Sequence, residues 1–231
     1  MSVLEQAIGW LAPPHCLVCG DEGMVLCDSC STSEISAFGG RCWHCSALSQ
    51  FGRACPGCRH TGGPRAVWIS TTYEGVAQEL VQAYKFGQQR AAAEPLARAM
   101  SQVLLGSYGK PAVKAQDYLV VPVPTATSRL RQRGFDHSAL LAKLIARKID
   151  GRFYLALGRL GQNRQLGTSR AQRLAQPAGQ YFARQTSAVN GRNILLIDDV
   201  LTTGGTLIEC ARVLRAAGAN HVDALVFAKK L

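Results

Sequence analysis

The chain has 231 residues, 47% of them hydrophobic, enough for one α/β domain with a sizeable core and a small accessory module. Twenty-six Lys and Arg against 15 Asp and Glu leave a net charge of +11, which favours phosphate-bearing partners, although diffuse surplus charge is also how a solvated surface looks. No stretch reaches the roughly 18 uninterrupted apolar residues of a membrane span, and the first residues lack the basic start and apolar core of a secretory signal, so a cytoplasmic protein without membrane insertion is expected.

Val3, Leu4, Ala7, Ile8 and Leu11 form a short amphipathic stripe that Pro13 and Pro14 stop, suited to packing on the rest of the protein. Four Cys-x-x-Cys pairs follow: Cys16/Cys19, Cys27/Cys30, Cys42/Cys45 and Cys55/Cys58. Two thiolates two residues apart chelate one metal from a tight turn, and two such turns complete a tetrahedral shell. The expectation is two zinc ions in a module over residues 1–62, held together by metal because large apolar residues are few there. Eight thiolates on two zinc ions would reduce the net charge to about +7. A disulfide framework fits a reducing compartment poorly, and an iron–sulfur cluster is the lesser alternative. Sequential pairing of the turns and cross-braced pairing both satisfy the spacing. His15 and His44 could each replace a sulfur.

Thr61, Gly62, Gly63 and Pro64 read as a linker, with a second domain over residues 66–231. Residues 66–73 alternate as a strand, residues 76–86 carry Leu80, Val81 and Tyr84 at helical spacing, and residues 94–105 form another helix with Pro95 in its first turn. Lys85 then lies at a helix C-terminus, where a cation suits the dipole. Residues 118–121 are a buried strand that the Pro-rich 122–125 ends. Arg129, Arg131 and Arg133 make the densest basic stretch, ahead of a helix with Leu140, Leu141, Leu144 and Ile145. A strand, a basic loop and a helix N-terminus can hold an anion, with arginine forks supplying charge. Residues 153–157 read as a short strand. Residues 158–180 carry Arg159, Arg164, Arg170 and Arg173 with little apolar period, which fits either a functional lid or a solvated insertion.

Residues 193–206, NILLIDDVLTTGGT, organise the second domain. The apolar run 194–197 is a strand buried on both faces, expected to end at Asp198 and Asp199. Val200, Leu201, Thr202, Thr203, Gly204, Gly205 and Thr206 then lead into a helix whose free N–H groups suit a phosphate. Adjacent carboxylates beside an anion site suit ribose hydroxyls or a divalent cation, so the run describes a ribose 5-phosphate clamp. The last strand covers 221–228, and Cys210 reads as a small core residue.

This run resembles the fingerprint of type I phosphoribosyltransferases for 5-phosphoribosyl pyrophosphate (PRPP). The ordered set of Cys-x-x-Cys pairs, Tyr73-Glu74-Gly75, Lys85-Phe86-Gly87, Val121-Pro122-Val123-Pro124, Arg133-Gly134-Phe135 and the 198–206 run is similar to the ComF/GntX family over nearly the whole chain. The resemblance implies an open parallel sheet flanked by helices with a small N-terminal zinc module. It implies that Asp198 and Asp199 hold the ribose 2′ and 3′ hydroxyls and 200–206 wrap the 5′-phosphate. Lys85, Arg129, Arg131 and Arg133 would face pyrophosphate with Mg²⁺, under a flexible loop bearing Arg164, Arg170 and Arg173. Two departures stand out: Asp136-His137 replaces the family's Asn-Gln, and Gln176 stands where an Asn is usual. The resemblance implies a PRPP-binding protein of DNA uptake, in contact with single-stranded DNA and a DNA-uptake helicase. The alternative is an active phosphoribosyltransferase on an unidentified acceptor.

Overall fold

The structure is a computed structural model that describes residues 13–36, 38–49, 52–86, 89–106, 114–160 and 180–231. Its strands are β1 (Val67–Thr72), β2 (Tyr118–Pro122), β3 (Arg152–Phe153), β4 (Leu157–Arg159), β5 (Tyr181–Ala183), β6 (Asn193–Leu201) and β7 (His221–Lys229). Its helices are α1 (Asp28–Glu34), α2 (Gly75–Phe86), α3 (Ala93–Leu105), α4 (Thr127–Arg133), α5 (His137–Lys148), α6 (Thr186–Val189) and α7 (Gly205–Ala216). Five strands form one sheet in the order β1-β7-β6-β2-β3, with every neighbouring pair parallel. All their carboxyl ends therefore lie along one edge, where open α/β sheets bind ligands.

The central strand explains the layering. Ile194, Leu195, Leu196 and Ile197 have no exposed surface, as a strand covered on both faces requires. Leu195 and Ile197 face a layer containing Leu80 and Tyr84 of α2, Met100 of α3 and Leu141 of α5. Ile194 and Leu196 face Leu207, Cys210 and Leu214 of α7. Cys210 is thus the core residue its sequence suggests. Truncating one of these leucines to Ala would cost about 3 kcal/mol.

Three boundaries differ from the sequence reading. Residues 153–157 do not form one strand: β3 ends at Phe153, and β4 begins at Leu157 to pair antiparallel with β5. The closeness of that second pair needs Gly158, where a Cβ would lie 2.3 Å from the Phe182 ring. The arginines at 129–133 lie on the short helix α4, which stops at Gly134 in the left-handed region (φ 76°). Most relevant to the site, β6 continues through the acidic pair to Leu201. It can do so because β7 runs on beside it, pairing Asp198 with Val226 and Leu201 with Lys229. β2 instead leaves at Pro122, its last contact being Val123 N–H donating to the Ile197 carbonyl at 2.9 Å.

Two cysteine-bearing units precede the sheet. The first docks on the α2–α3 layer through buried Val25 and Leu26 and an ion pair between Asp28 and Arg98. The second reaches the opposite layer through Trp43.

Candidate functional site

The free end of β6 creates the site. Beyond Ile197 this strand has a neighbour on one side only, so Asp198 and Asp199 stand at an open corner between β6 and the 123–126 loop. Successive side chains on a strand point to opposite faces. Asp199 shares the face of Ile197 and meets α2, where Lys85 Nζ lies 2.7 Å from its Oδ1. Asp198 stands on the α7 face, and its Oδ1 accepts the Asp199 N–H at 2.9 Å. Burial, then the neighbouring Asp199 charge, push the Asp198 carboxyl up to about 7, against the pull of Lys85, the Asp199 N–H and Arg129. A divalent cation or a set of hydroxyl donors would relieve this crowding of negative charge.

After Leu201 the chain turns into α7 through exposed Thr202 and Thr203 and through Gly204, the N-cap with φ 83°. A non-glycine residue is strained at that angle. The cap position has no side-chain hydrogen bond, and Ile208 N–H already returns to the Gly204 carbonyl at 2.9 Å. The Gly205 N–H donates to Thr203 Oγ1 at 3.5 Å, and the first turn opens beside exposed Gly205 and Thr206 at the positive end of a 12-residue helix. Across the corner, the 123–126 loop is tied to α5: Thr125 Oγ1 donates to Asp136 Oδ1 at 3.4 Å, and that oxygen accepts the Ala139 N–H at 3.0 Å. Asp136 is therefore a helix cap, a role an Asn fills equally well. Arg129 and Arg131 are exposed on α4, and Arg129 acts electrostatically on Asp198.

His137 is not placed as an acid–base group. It is 1% exposed, with Nε2 2.7 Å from the Tyr84 carbonyl and Nδ1 3.1 Å from the Phe135 carbonyl. The Tyr84 hydroxyl donates to the His137 carbonyl at 2.7 Å in return. This reciprocal pair fixes the last turn of α2, and so the residue after Tyr84, which is Lys85.

The eight cysteines form two sets, Cys16, Cys19, Cys27 and Cys30, and Cys42, Cys45, Cys55 and Cys58, with all sulfurs of a set within 4.8 Å of one another. The pairing is sequential. A tetrahedron with metal–sulfur bonds of about 2.3 Å has edges of about 3.8 Å. Cys19 Sγ and Cys27 Sγ lie 3.7 Å apart, and Cys45 Sγ and Cys55 Sγ 3.6 Å apart. The units repeat one another: Cys27 N–H donates to Cys16 Sγ at 3.5 Å, and Cys55 N–H to Cys42 Sγ at 3.3 Å. Burial raises the Cys16 and Cys42 thiols, but backbone N–H donors outweigh it and bring them down to about 6 and about 7. Both donor sets fit zinc in size and geometry.

Arg164, Arg170 and Arg173 lie outside the described residues, as does the 1–12 stripe, and for Arg133 only the backbone is described. Two residues that the sequence did not single out join the site's frame. Trp43 packs on Gly204, and Lys229 is buried with its ammonium on the Trp43 carbonyl at 2.9 Å. Neither carries a local signal, one lying inside a Cys-x-x-Cys turn and the other in a terminal basic pair.

Residues 136–231 match the model for the "Phosphoribosyl transferase domain". Competence protein ComFC of Bacillus subtilis is 30% identical over 147 residues, 64% of this chain and 57% of that protein's length. Competence protein F of Haemophilus influenzae is 26% identical over 212 residues, 86% of this chain and 87% of the relative. A ribose-phosphate pyrophosphokinase of Pyrococcus abyssi is 50% identical over 34 residues, 15% of this chain and 12% of that one. Among the described residues no helix is long and apolar enough to cross a membrane. The ordered motifs, the parallel sheet and these matches agree: the chain is similar to the ComF competence proteins and carries a fold of the phosphoribosyltransferase type.

Proposed function

We propose that the protein binds PRPP as its Mg²⁺ complex where β6 turns into α7, and that it serves DNA uptake in the cytoplasm. One observation carries this reading: an acidic pair on the end of a central strand that keeps a neighbour on one side only, running straight into a glycine-capped helix N-terminus. Vicinal hydroxyls or a cation satisfy the acids, and backbone amides satisfy a terminal phosphate. In this reading Asp198 and Asp199 hold the ribose 2′ and 3′ hydroxyls, and residues 200–206 wrap the 5′-phosphate. Lys85 releases Asp199 toward the ribose and, with Arg129, Arg131 and Arg133, faces the pyrophosphate. Arg164, Arg170 and Arg173, in the long basic stretch that the sequence places at 158–180, serve the reacting sugar in this reading. The two cysteine clusters hold zinc in a module over residues 1–62, docked on a binding domain over residues 66–231.

The short match to a protein named for ribose-phosphate supports the sugar phosphate, and the two competence proteins support the process. Single-stranded DNA and a DNA-uptake helicase are the macromolecular partners of this reading. Calorimetric titration with PRPP and Mg²⁺ tests it on the wild type and on Asp198→Asn/Asp199→Asn. The expected loss in the double variant is at least tenfold, and equal affinities would remove the clamp.

Phosphoribosyl transfer to an acceptor is the second reading, favoured by the family-model match over 136–231. A nucleophile would attack the anomeric carbon as pyrophosphate leaves, and nearby carboxylates would stabilise positive charge developing on the ribose. The engaged ring nitrogens of His137 weigh against that residue as the acceptor's base. Pyrophosphate release that depends on one added acceptor is the outcome that would favour turnover.

A further inference from the structure

Trp43 lies between two metal-ligating cysteines, yet its indole belongs to the other domain's core. It is fully buried beside Leu201, Leu207 and Cys210. A Cβ on Gly204 would lie 2.8 Å from its Cζ3, and one on Gly63 2.6 Å from its Cη2. Contacts that close cannot form with any side chain on either glycine. The indole therefore forms the floor under the N-cap of α7, the residue from which the phosphate loop enters its helix.

A second link runs through Lys229, the last residue of β7. Although 3% exposed, it donates from Nζ to the Trp43 carbonyl at 2.9 Å and to the His44 carbonyl at 3.4 Å. Its backbone pairs with Leu201, at the start of the same loop, and its carbonyl accepts the Tyr73 N–H at 2.8 Å. A buried ammonium is tolerated only where acceptors and negative charge meet it. Here two carbonyls of the Cys42–Cys45 turn do so, and the sulfurs of Cys42 and Cys45 lie close enough to act on it. The turn is thus fastened to the loop at both ends, by the indole under Gly204 and by the ammonium beside Leu201. Its own backbone bonds are few, chiefly Ser46 N–H to the Cys42 carbonyl at 3.0 Å and Cys42 N–H to the Ala47 carbonyl at 2.7 Å. Closure of a turn so small depends on its metal.

We propose that Trp43 and Lys229 are positioning residues that couple the second cysteine cluster to the phosphate loop. A metal on Cys42, Cys45, Cys55 and Cys58 and a phosphate ester on residues 204–206 then bind more tightly together than separately. The coupling rests on the phosphosugar reading of that loop, and it is reciprocal by linkage: whatever holds the loop also holds the metal. The first cluster packs on the opposite layer and has no part in it.

The test uses the full chain loaded with zinc. Zinc transfer to a chromogenic chelator is followed with and without saturating PRPP and Mg²⁺, and PRPP binding is measured separately by calorimetry. Two release phases are expected, of which one slows by about fivefold or more with PRPP. Cys45→Ser removes that phase, whereas Cys19→Ser removes the uncoupled one. Direct chelation of zinc by PRPP would speed both phases, so the uncoupled phase serves as the control. Lys229→Met should abolish the slowing while the calorimetric signal persists at reduced affinity. Trp43→Phe, which keeps an aromatic floor, should retain most of it. Bound PRPP with both phases unchanged overturns the coupling alone. No PRPP binding at all overturns the loop assignment and the coupling with it.

Discussion

Asp198 and Asp199 are adjacent in sequence but meet different surroundings because the strand carries them to opposite faces. Asp199 is held by Lys85, with their side chains 11% and 18% exposed. Removing one partner of a pair that well buried leaves a charge without compensation. Lys85→Met should therefore lower stability by about 2 kcal/mol, read by urea denaturation, and weaken PRPP binding at least tenfold. Asp198 is the opposite case, since folding raises its pKa from the usual carboxylate value to about 7. A group raised in this way contributes stability below its unfolded pKa of about 4 and loses it as pH rises through the folded value. Asp198→Asn should then match the wild type near pH 4 and exceed it at pH 8 by about 2 kcal/mol, because each tenfold change in an acidity constant is worth about 1.4 kcal/mol and the pair shares the repulsion. Saturating Mg²⁺ and PRPP should shrink that gap. A gap independent of pH would mean the carboxylates do not crowd one another.

At the scale of elements, the site depends on a mismatch between neighbouring strands. β2 stops at a proline that cannot continue the ladder, while β7 keeps pairing with β6 as far as Leu201. The corner left between them receives the N-terminus of α7. Gly204 joins strand and helix under two constraints, a φ of 83° and an indole within 2.8 Å of where a Cβ would sit. Gly204→Ala should cost about 2 kcal/mol or more in thermal unfolding and shift the tryptophan emission as the indole is displaced. Gly134→Ala, at φ 76° but with nothing within 4 Å of the added Cβ, should cost about 1 kcal/mol and leave the emission alone. The difference between the two variants isolates the contact from the backbone strain.

For the whole molecule, charge and metal content give the readouts. Metal analysis should find about two zinc ions per chain, one for each cysteine set. A strong chelator should lower the melting temperature by several degrees, because each unit is docked into a different layer of the core. A metal-free preparation with an unchanged melting temperature would sink that assignment. The net charge of +11 and the exposed Arg129 and Arg131 bear on nucleic acid. If these side chains meet phosphates, single-stranded DNA binding should weaken steeply with salt, and Arg129→Ala/Arg131→Ala should flatten that slope by about 1 or more. An unchanged slope would move any DNA contact elsewhere on the surface.

What the sequence determined alone was local. Cysteine spacing defined the turns that bring the sulfurs together, and the apolar run at 194–197 with its acids and glycines defined a strand, a turn and a helix start, because each signal lies within a few residues and has one geometric solution. Spacing could not choose between sequential and cross-braced clusters, since both close four sulfurs around a metal, and only the folded units made the choice. Nor could it assign Lys85 to Asp199, lock His137 between two carbonyls, or bring Trp43 and Lys229 under the turn from β6 into α7. Those contacts join segments far apart in the chain, and no period or motif encodes them. They exist because the parallel sheet gathers the carboxyl ends of its strands at one edge, where β6, β7 and the elements after them bring distant segments into contact.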